Sequence, residues 1–179
     1  NPPRTALAFS LVQLSNIFMQ LGYAPASILN ELANGKNLID SNEAHIKSEA
    51  MRVAKELQKR TIAVYAGAGY EGITIRAKQQ FNENSKELCW QHVIPEMNHN
   101  ELVGWGGGDN RYACLFIQTG DLSMRNQKRF DISVERTKSK TDKVETITAK
   151  GSRISLLLHF KADSSFTQII NDATEVLKE

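Results

Sequence analysis

The chain has 179 residues, 41% of them hydrophobic, and its 22 basic residues nearly balance its 20 acidic residues. That length suits one domain with a core of its own, and the small net charge does not indicate a nucleic-acid-binding protein. The two cysteines, Cys89 and Cys114, lie in apolar runs, so we predict buried free thiols in a cytoplasmic protein, with no disulfide and no metal site of the C-x-x-C kind.

The first sixty residues are predicted to be helical. Leu7, Leu11, Leu14, Phe18 and Leu21 recur at helical spacing, and polar residues interrupt the apolar run. This pattern indicates an amphipathic packing helix, neither a signal peptide nor a membrane span.

A second helix is predicted from about residue 40. Asp40 followed by Glu43 resembles a capping box, and an apolar stripe runs from Ile46 to Leu57 after it. The chain begins with Asn1-Pro2-Pro3 and has no initiator methionine, so we expect it to be part of a longer protein.

From residue 61 onward, strand-like and helix-like segments alternate. The predicted strands are four short apolar runs, residues 61–66, 88–94, 112–118 and 144–149. The predicted helices between and after them are residues 70–86, 124–142, 152–160 and 166–178. Phe130, Ile132 and Val134 alternate like a strand, but parallel neighbours require a crossover helix at that point. The alternation predicts a three-layer α/β/α sandwich with a mainly parallel sheet, preceded by N-terminal helices. Residues 105–109 (WGGGD) are predicted to form a flexible loop.

The segment Gly67-Ala68-Gly69-Tyr70-Glu71-Gly72 matches G-x-G-x-x-G between a predicted strand and a predicted helix. In a dinucleotide site, such glycines let the backbone approach a pyrophosphate at the helix N-terminus. However, Glu71 would place negative charge beside that pyrophosphate, and glycine turns are common in parallel α/β domains. We therefore favour a tight turn and keep nucleotide binding as the lesser alternative.

Residues 76–101 concentrate side chains that are suited to proton transfer. Glu83 lies near the end of one predicted helix, and His99 follows the next predicted strand. Carboxylate and imidazole are the groups most used for proton transfer near neutral pH. Glu83 alone would be interpreted as part of a solvated helix end. Together with His99, it favours an enzyme that acts on a polar substrate, whereas His92, inside a strand, is predicted to be a packed histidine.

Two blocks of this region resemble a known family. Residues 76–86 (RAKQQFNENSK) and 95–104 (PEMNHNELVG) resemble the bacterial and archaeal bifunctional phosphoglucose/phosphomannose isomerases, in which an N-E-N-x-K block is followed by P-E-x-x-H-N-E-x-x-G. The likeness covers most of residues 2–160. It implies a sugar isomerase (SIS)-like fold, with residues 1–60 as a helical linker and interface segment and residues 61–179 as the C-terminal sugar isomerase domain of a protein whose N-terminal SIS domain is absent here.

The resemblance also implies an activity, the interconversion of glucose 6-phosphate, and mannose 6-phosphate as well, with fructose 6-phosphate. Glu83 matches the base that moves a proton between C1 and C2 through a cis-enediol. His99 matches the histidine that opens the sugar ring, which the partner subunit of a homodimer contributes across the interface. Lys178 is the candidate for a lysine that assists at the ring or hydroxyl end.

Arg76, Asn82 and Asn98 are the implied substrate-binding residues of these two blocks. The family uses no cofactor and no metal, and the resemblance implies no nucleic-acid or membrane partner. The serines and threonines that hold the phosphate belong to the N-terminal domain. The chain alone is therefore expected to fold and to be inactive.

Two other functions stay open. A regulatory module of the same fold would bind a sugar phosphate without needing a base at Glu83, because a fold does not fix a function. A nicotinamide-dependent oxidoreductase would use the glycine turn of residues 67–72 instead.

Overall fold

In the part of the chain that the structure describes, four parallel strands form the central sheet. The structure is a computed structural model, and it describes residues 7–149. The strands lie in the order β2-β1-β3-β4, with bounds β1 Thr61–Gly67, β2 Cys89–Ile94, β3 Tyr112–Thr119 and β4 Val144–Ala149. The predicted segments 152–160 and 166–178, together with Lys178, lie outside the described residues.

Helices precede the sheet and connect its strands. Their bounds are α1 Leu7–Gln20, α2 Ser27–Leu57, α3 Glu71–Gln80, α4 Glu101–Gly104 and α5 Met124–Lys138. A π-helical turn, Phe81–Ser85, extends α3, and short 3₁₀ turns occupy Glu96–Asn98 and Trp105–Gly107. The predicted parallel α/β fold is confirmed, and so is the helical prediction for the segment between β3 and β4.

The sheet is buried on both faces, which makes the fold three-layered. Alternate residues of β1 point to opposite sides: Val64 packs in a cluster with residues of α2 and α3, whereas Tyr65 packs in a second cluster with Phe130 of α5. Tyr65 pairs with Phe116 of β3, and both are 0% exposed. Buried parallel strands read as continuous apolar runs, which is why Thr61–Gly67 could be identified from the sequence.

The capping box predicted at Asp40 is wrong, because α2 is one helix of 31 residues. Asp40 lies in the interior of this helix and pairs with Lys36 one turn earlier, and Glu43 pairs with Lys47 at 2.5 Å. Ion pairs at i, i+4 spacing support a continuous helix. They also explain why an Asp followed by a Glu was misleading here.

Three residues of the stripe predicted to pack along α1, Leu14, Phe18 and Leu21, lie at the surface. Leu14 is 50% exposed and Leu21 is 63% exposed, whereas Ser15 is buried. Because α1 carries large apolar residues on all sides, periodicity alone could not identify the face that packs on α2.

The loop predicted over residues 105–109 is partly ordered. Trp105 is buried, and its Nε1 donates to the hydroxyl of Tyr65 at 3.0 Å. The indole packs against Gly108, where a Cβ would meet Cε3 of Trp105 at 2.5 Å, and the segment begins as a 3₁₀ turn rather than as a free loop.

Candidate functional site

The strand order defines two edges of the sheet. All pairs of neighbouring strands are parallel, so their carboxyl ends share one edge and their amino ends share the other. Because β1 connects to β2 on one side and β3 connects to β4 on the other, the direction of winding changes between β1 and β3. In such sheets, ligands usually bind outside the carboxyl ends at this position.

The glycine turn of residues 67–72 lies at this carboxyl edge. A Cβ on Gly67 would meet Cδ2 of Leu122 at 2.4 Å, and Gly69 has a φ of 96°, where glycine is favoured. Gly72 differs, because a Cβ there would meet nothing within 4 Å. In a dinucleotide-binding fingerprint, the last glycine is needed because the helix packs closely on the strand. Gly72 occupies that position here, but no close packing requires a glycine there.

Acidic side chains also lie at this turn. The hydroxyl of Tyr70 donates to the carboxylate of Asp121 at 2.7 Å, which joins the loop after β1 to the loop after β3. Glu71, the first residue of α3, is exposed. Negative charges that face each other across an interface disfavour binding. The geometry therefore favours the tight turn over a dinucleotide site.

Helix α3 carries the chain back to the amino edge. Arg76, Gln80 and Asn84 recur four residues apart and so lie on one face. With its amide oxygen turned toward Arg76, Gln80 accepts from the guanidinium at 2.6 Å, and the Gln80 and Asn84 amides lie 2.7 Å apart. Gln80 is 1% exposed, so the predicted substrate-binding arginine is held by a buried amide.

The π-helical turn that follows carries two more predicted site residues. Oδ1 of Asn82 accepts a hydrogen bond from the backbone N–H of Cys89, the first residue of β2, at 2.8 Å. Glu83 is exposed, and its carbonyl oxygen accepts from Nζ of Lys86 at 2.6 Å. Lys86 ends the turn in the left-handed conformation, with a φ of 59°. Glu83 thus stands at the amino edge on a turn that is fixed at both ends.

Residues 95–104 leave β2 at the carboxyl edge and carry His99. Met97 is 0% exposed, and Nδ2 of Asn98 donates to Oγ of Ser133 in α5 at 2.7 Å. Oδ1 of Asn98 is buried and has no hydrogen-bond partner in the described part of the chain. His99 itself is exposed. Asn98 is bound to α5 in this arrangement, and its role toward a substrate stays a prediction.

Glu83 and His99 of one chain therefore lie at opposite edges of the sheet. Strand β2 separates them, and six residues at about 3.3 Å each span about 20 Å. Groups that transfer protons on one substrate must lie within hydrogen-bond reach of it. These two side chains of a single chain consequently do not form one site.

Glu101 is the residue of this region to which sequence reasoning assigned no role. Its Oε1 accepts from the Tyr65 hydroxyl at 2.5 Å and from Trp90 Nε1 at 2.6 Å, and its Oε2 lies 2.9 Å from Nδ1 of His92. Burial, and next the hydrogen bond to Glu101, raises the pKa of Tyr65 far above its ordinary value, so this hydroxyl stays protonated. The sequence signal for Glu101 was its place as the second acid of P-E-x-x-H-N-E, but its partners lie on two different strands, 9 to 36 positions away.

Beside Glu101, three aromatic rings line an open depression of about 380 Å³. The ring of Tyr112 stands edge-on to those of Trp90 and Trp105, at 5.8 and 5.9 Å between centroids. Glycines form part of its rim. Of the predicted site residues within residues 7–149, none lines this depression.

The two cysteines are free and buried, as predicted. Burial raises the pKa of the Cys89 thiol to about 12, against a smaller opposing effect of Lys78. Within residues 7–149, no three side chains of His, Cys, Asp or Glu come together as a possible metal site. None of the helices in that range has both the length and the apolar character needed to cross a membrane.

Comparison with known proteins places this geometry in context. The family model of the bacterial phospho-glucose isomerase C-terminal SIS domain matches residues 46–158. A bifunctional phosphoglucose/phosphomannose isomerase of Aquifex aeolicus is 29% identical over 136 residues, which cover 76% of this chain and 40% of that protein. Its counterpart from Thermoplasma acidophilum is 25% identical over 162 residues, which cover 88% and 50%. The chain thus spans about half the length of these relatives, or less.

Solved structures share the fold. The C-terminal domain of glucosamine-fructose-6-phosphate aminotransferase from Francisella tularensis superimposes with a TM-score of 0.64 at 15% identity, over 86% of this chain and 45% of that chain. A protein of Clostridium difficile 630 gives a TM-score of 0.61 at 14% identity, over 88% and 47%. At such identities, the likeness shows the SIS-type architecture alone.

Proposed function

Because the chain belongs to the bacterial phospho-glucose isomerase C-terminal SIS domain family, we propose that it is the C-terminal half of an aldose–ketose isomerase acting on hexose 6-phosphates. The curated relatives are named as phosphoglucose/phosphomannose isomerases. We infer that glucose 6-phosphate and mannose 6-phosphate are the aldoses and that fructose 6-phosphate is the ketose.

In the proposed reaction, Glu83 is the base. Its carboxylate takes the proton from C2 of the open-chain aldose while the carbonyl oxygen at C1 gains a proton, which produces a cis-enediol. The carboxylic acid then returns its proton to C1, and the hydroxyl at C2 loses its proton to become the ketone. A carboxylate suits this transfer between neighbouring carbons. Exposure on a fixed π-helical turn is consistent with the role, because such turns are frequent at functional sites.

The observation that carries the proposal is the separation of Glu83 from His99 by the length of β2. The family resemblance assigns both residues to one reaction, in which His99 opens the sugar ring. A single chain keeps them at opposite edges of its sheet, so a complete site requires His99 from a second copy. Val103, 77% exposed close to His99, presents apolar surface where such a copy would bind.

We further propose that α1 and α2 contribute to the same two-fold interface. Phe18 is 47% exposed and Tyr23 is 81% exposed, and with Leu14 and Leu21 they form an apolar surface on and beside α1. Large exposed apolar surfaces commonly mark association sites. In a two-fold dimer, the same surface of both copies would be covered.

Substrate binding would be shared with the absent N-terminal domain. Arg76, fixed by Gln80, and Asn82 lie on the same helix and turn as Glu83, and we assign them to the sugar. The glycine turn of residues 67–72 contains no serine or threonine, the hydroxyl of Tyr70 donates to Asp121, and Glu71 would repel a phosphate dianion. We therefore place the phosphate-binding residues outside this chain. Within the chain, Lys178 is the candidate for a lysine that assists at the ring oxygen or a hydroxyl of the sugar.

Mixing two inactive variants tests this arrangement. Full-length Glu83→Gln and His99→Ala homodimers should each be strongly impaired on ring-closed substrate. After unfolding and refolding together, one site in each mixed dimer combines an intact Glu83 with an intact His99. About a quarter of wild-type activity should then return, because half of the dimers are mixed and each has one intact site.

Several outcomes separate the possibilities. No recovery on mixing would show that Glu83 and His99 act within one chain, or not at all. A Glu83→Gln enzyme with normal turnover would instead favour a regulatory binding module. Residues 1–179 alone serve as a further control and should be inactive without the N-terminal domain.

A further inference from the structure

Glu101 is a hydrogen-bond acceptor for donors on two strands. Tyr65 of β1 and Trp90 of β2 both donate to Oε1, and His92 of β2 lies against Oε2. Tyr65 in turn accepts from Trp105 at 3.0 Å. The chain is thus tied to the core on both sides of His99. Met97, two residues earlier, is buried, and Trp105, six residues later, is buried and makes this hydrogen bond.

Because Glu101 is close to His99 in sequence, this hydrogen-bond network restrains the position of His99. Glu101 is the first residue of α4 and stands two residues after His99. On the other side of His99, Asn98 is tied to Ser133 of α5 at 2.7 Å. The exposed His99 is therefore held between two fixed neighbours, one bound to the sheet and one bound to a helix.

The network needs a carboxylate at this position. Two donors converge on one oxygen and the Nδ1 atom of His92 lies against the other. Hydrogen bonds to a carboxylate are stronger than those between neutral groups. Losing the acceptor would leave the buried hydroxyl of Tyr65 and the indole N–H of Trp90 without a partner, which is costly inside a protein. The segment of residues 97–104 would then lose the attachment to the sheet that lies nearest to His99.

We propose that Glu101 is a positioning residue for the isomerase reaction, which holds residues 97–104 against the sheet so that His99 is presented to the active site of a second copy. This inference rests on the proposed function. It predicts that the catalytic effect of Glu101 passes entirely through His99.

The test is a double-mutant cycle in the full-length protein, with Glu101→Gln, His99→Ala and the combination of both. Glutamine keeps the shape and one acceptor oxygen but replaces the carboxylate by a neutral amide, which weakens the hydrogen bonds from Tyr65 and Trp90 and removes the acceptor oxygen that faces His92. We expect Glu101→Gln to lower kcat on ring-closed hexose 6-phosphate about 10- to 100-fold, the scale of a small misplacement. Added to His99→Ala, it should lower kcat no further. Glu135→Gln, the same change at an exposed position of α5, is the matched control and should leave kcat unchanged.

A second measurement does not depend on catalysis. Hydrogen exchange of backbone amides should become faster over residues 97–104 in Glu101→Gln, while the amides of β1 keep their protection. If Glu101→Gln does not fold, Trp90→Phe removes only one donor and should show the same local change to a smaller degree. Wild-type exchange and kcat in Glu101→Gln, or losses that add to those of His99→Ala, would overturn the proposal. A wild-type protein without isomerase activity would refute the proposed function, and the exchange data would still decide whether Glu101 holds this segment.

Discussion

The two edges of the sheet differ in how they are built. At the carboxyl edge the backbone dominates: Gly67 lies directly under Leu122, and Gly69 takes a left-handed conformation. At the amino edge side chains dominate: Asn82 caps the first N–H of β2, and Gln80 holds Arg76. Ligand sites of doubly wound sheets normally lie at the carboxyl edge. Here the candidate base stands at the opposite edge, so the proposed function requires a second copy of the chain to complete the site.

The largest expected effect is at the amino edge. In the full-length enzyme, Glu83→Gln keeps the shape of the side chain but removes the base, so kcat should fall by about two to four orders of magnitude with little change in KM. A coupled isomerase assay measures both constants. Glu87→Gln, a second glutamate close to the same edge, is the control and should behave like wild type. Near-normal turnover of Glu83→Gln would show that Glu83 is not the base and that the amino edge has no catalytic role.

At the carboxyl edge, the effect should be on stability rather than on rate. Gly67→Ala would push Leu122 out of place, and we expect it to cost about 1–2 kcal/mol, the lower part of the range for overpacking. Gly72→Ala meets no neighbour within 4 Å and should stabilise the helix by about 0.5–1 kcal/mol. Urea unfolding measures both values.

A double-mutant cycle sharpens this result. Adding Leu122→Ala to Gly67→Ala should cost less than the sum of the two single changes, because the smaller side chain relieves the overlap. If Gly72→Ala were strongly destabilising, the glycine would have a packing role and the dinucleotide interpretation would regain its basis.

A smaller effect is expected at Asn82, which combines a structural contact with a predicted substrate contact. Asn82→Ala removes the acceptor for the N–H of Cys89 and should cost about 1 kcal/mol of folding stability. Asn82→Asp keeps an acceptor oxygen and should restore most of it. If both variants raise KM and neither changes the unfolding midpoint, the residue serves the substrate alone.

The smallest effect concerns the thiols. Burial raises the pKa of Cys89 from an ordinary value of 9.0 to about 12, so the folded protein keeps a proton that the unfolded chain releases above about pH 9. The stability contributed by this protonated thiol is therefore lost as pH rises from about 9 toward 12. Alkylation at pH 8 should be slow for both cysteines until the chain unfolds. Fast labelling of folded Cys89 would show that the amino edge of β2 opens locally.

Much of the fold followed from local pattern. The apolar run in Thr61–Gly67 and the alternation of strands with helices predicted a parallel sheet, because buried strands and their crossovers impose that pattern. Length and caps were harder to predict. Asp40 resembled a cap but lies inside α2, since an ion pair with Lys36 makes an acidic residue compatible with a helix interior.

By itself, the sequence determined the class of fold, the family through its N-E-N-x-K and P-E-x-x-H-N-E blocks, and the candidate pair Glu83 and His99. These depend on residue type and short spacing, which a linear chain displays directly. Only the tertiary structure decided that the two residues stand at opposite edges of the sheet and that Glu101 joins Tyr65, Trp90 and His92. Those relations depend on how α3 reverses the chain and on which side chains of β1 and β2 share a face. Contacts between side chains on different strands and helices are set by packing, and no local pattern encodes them.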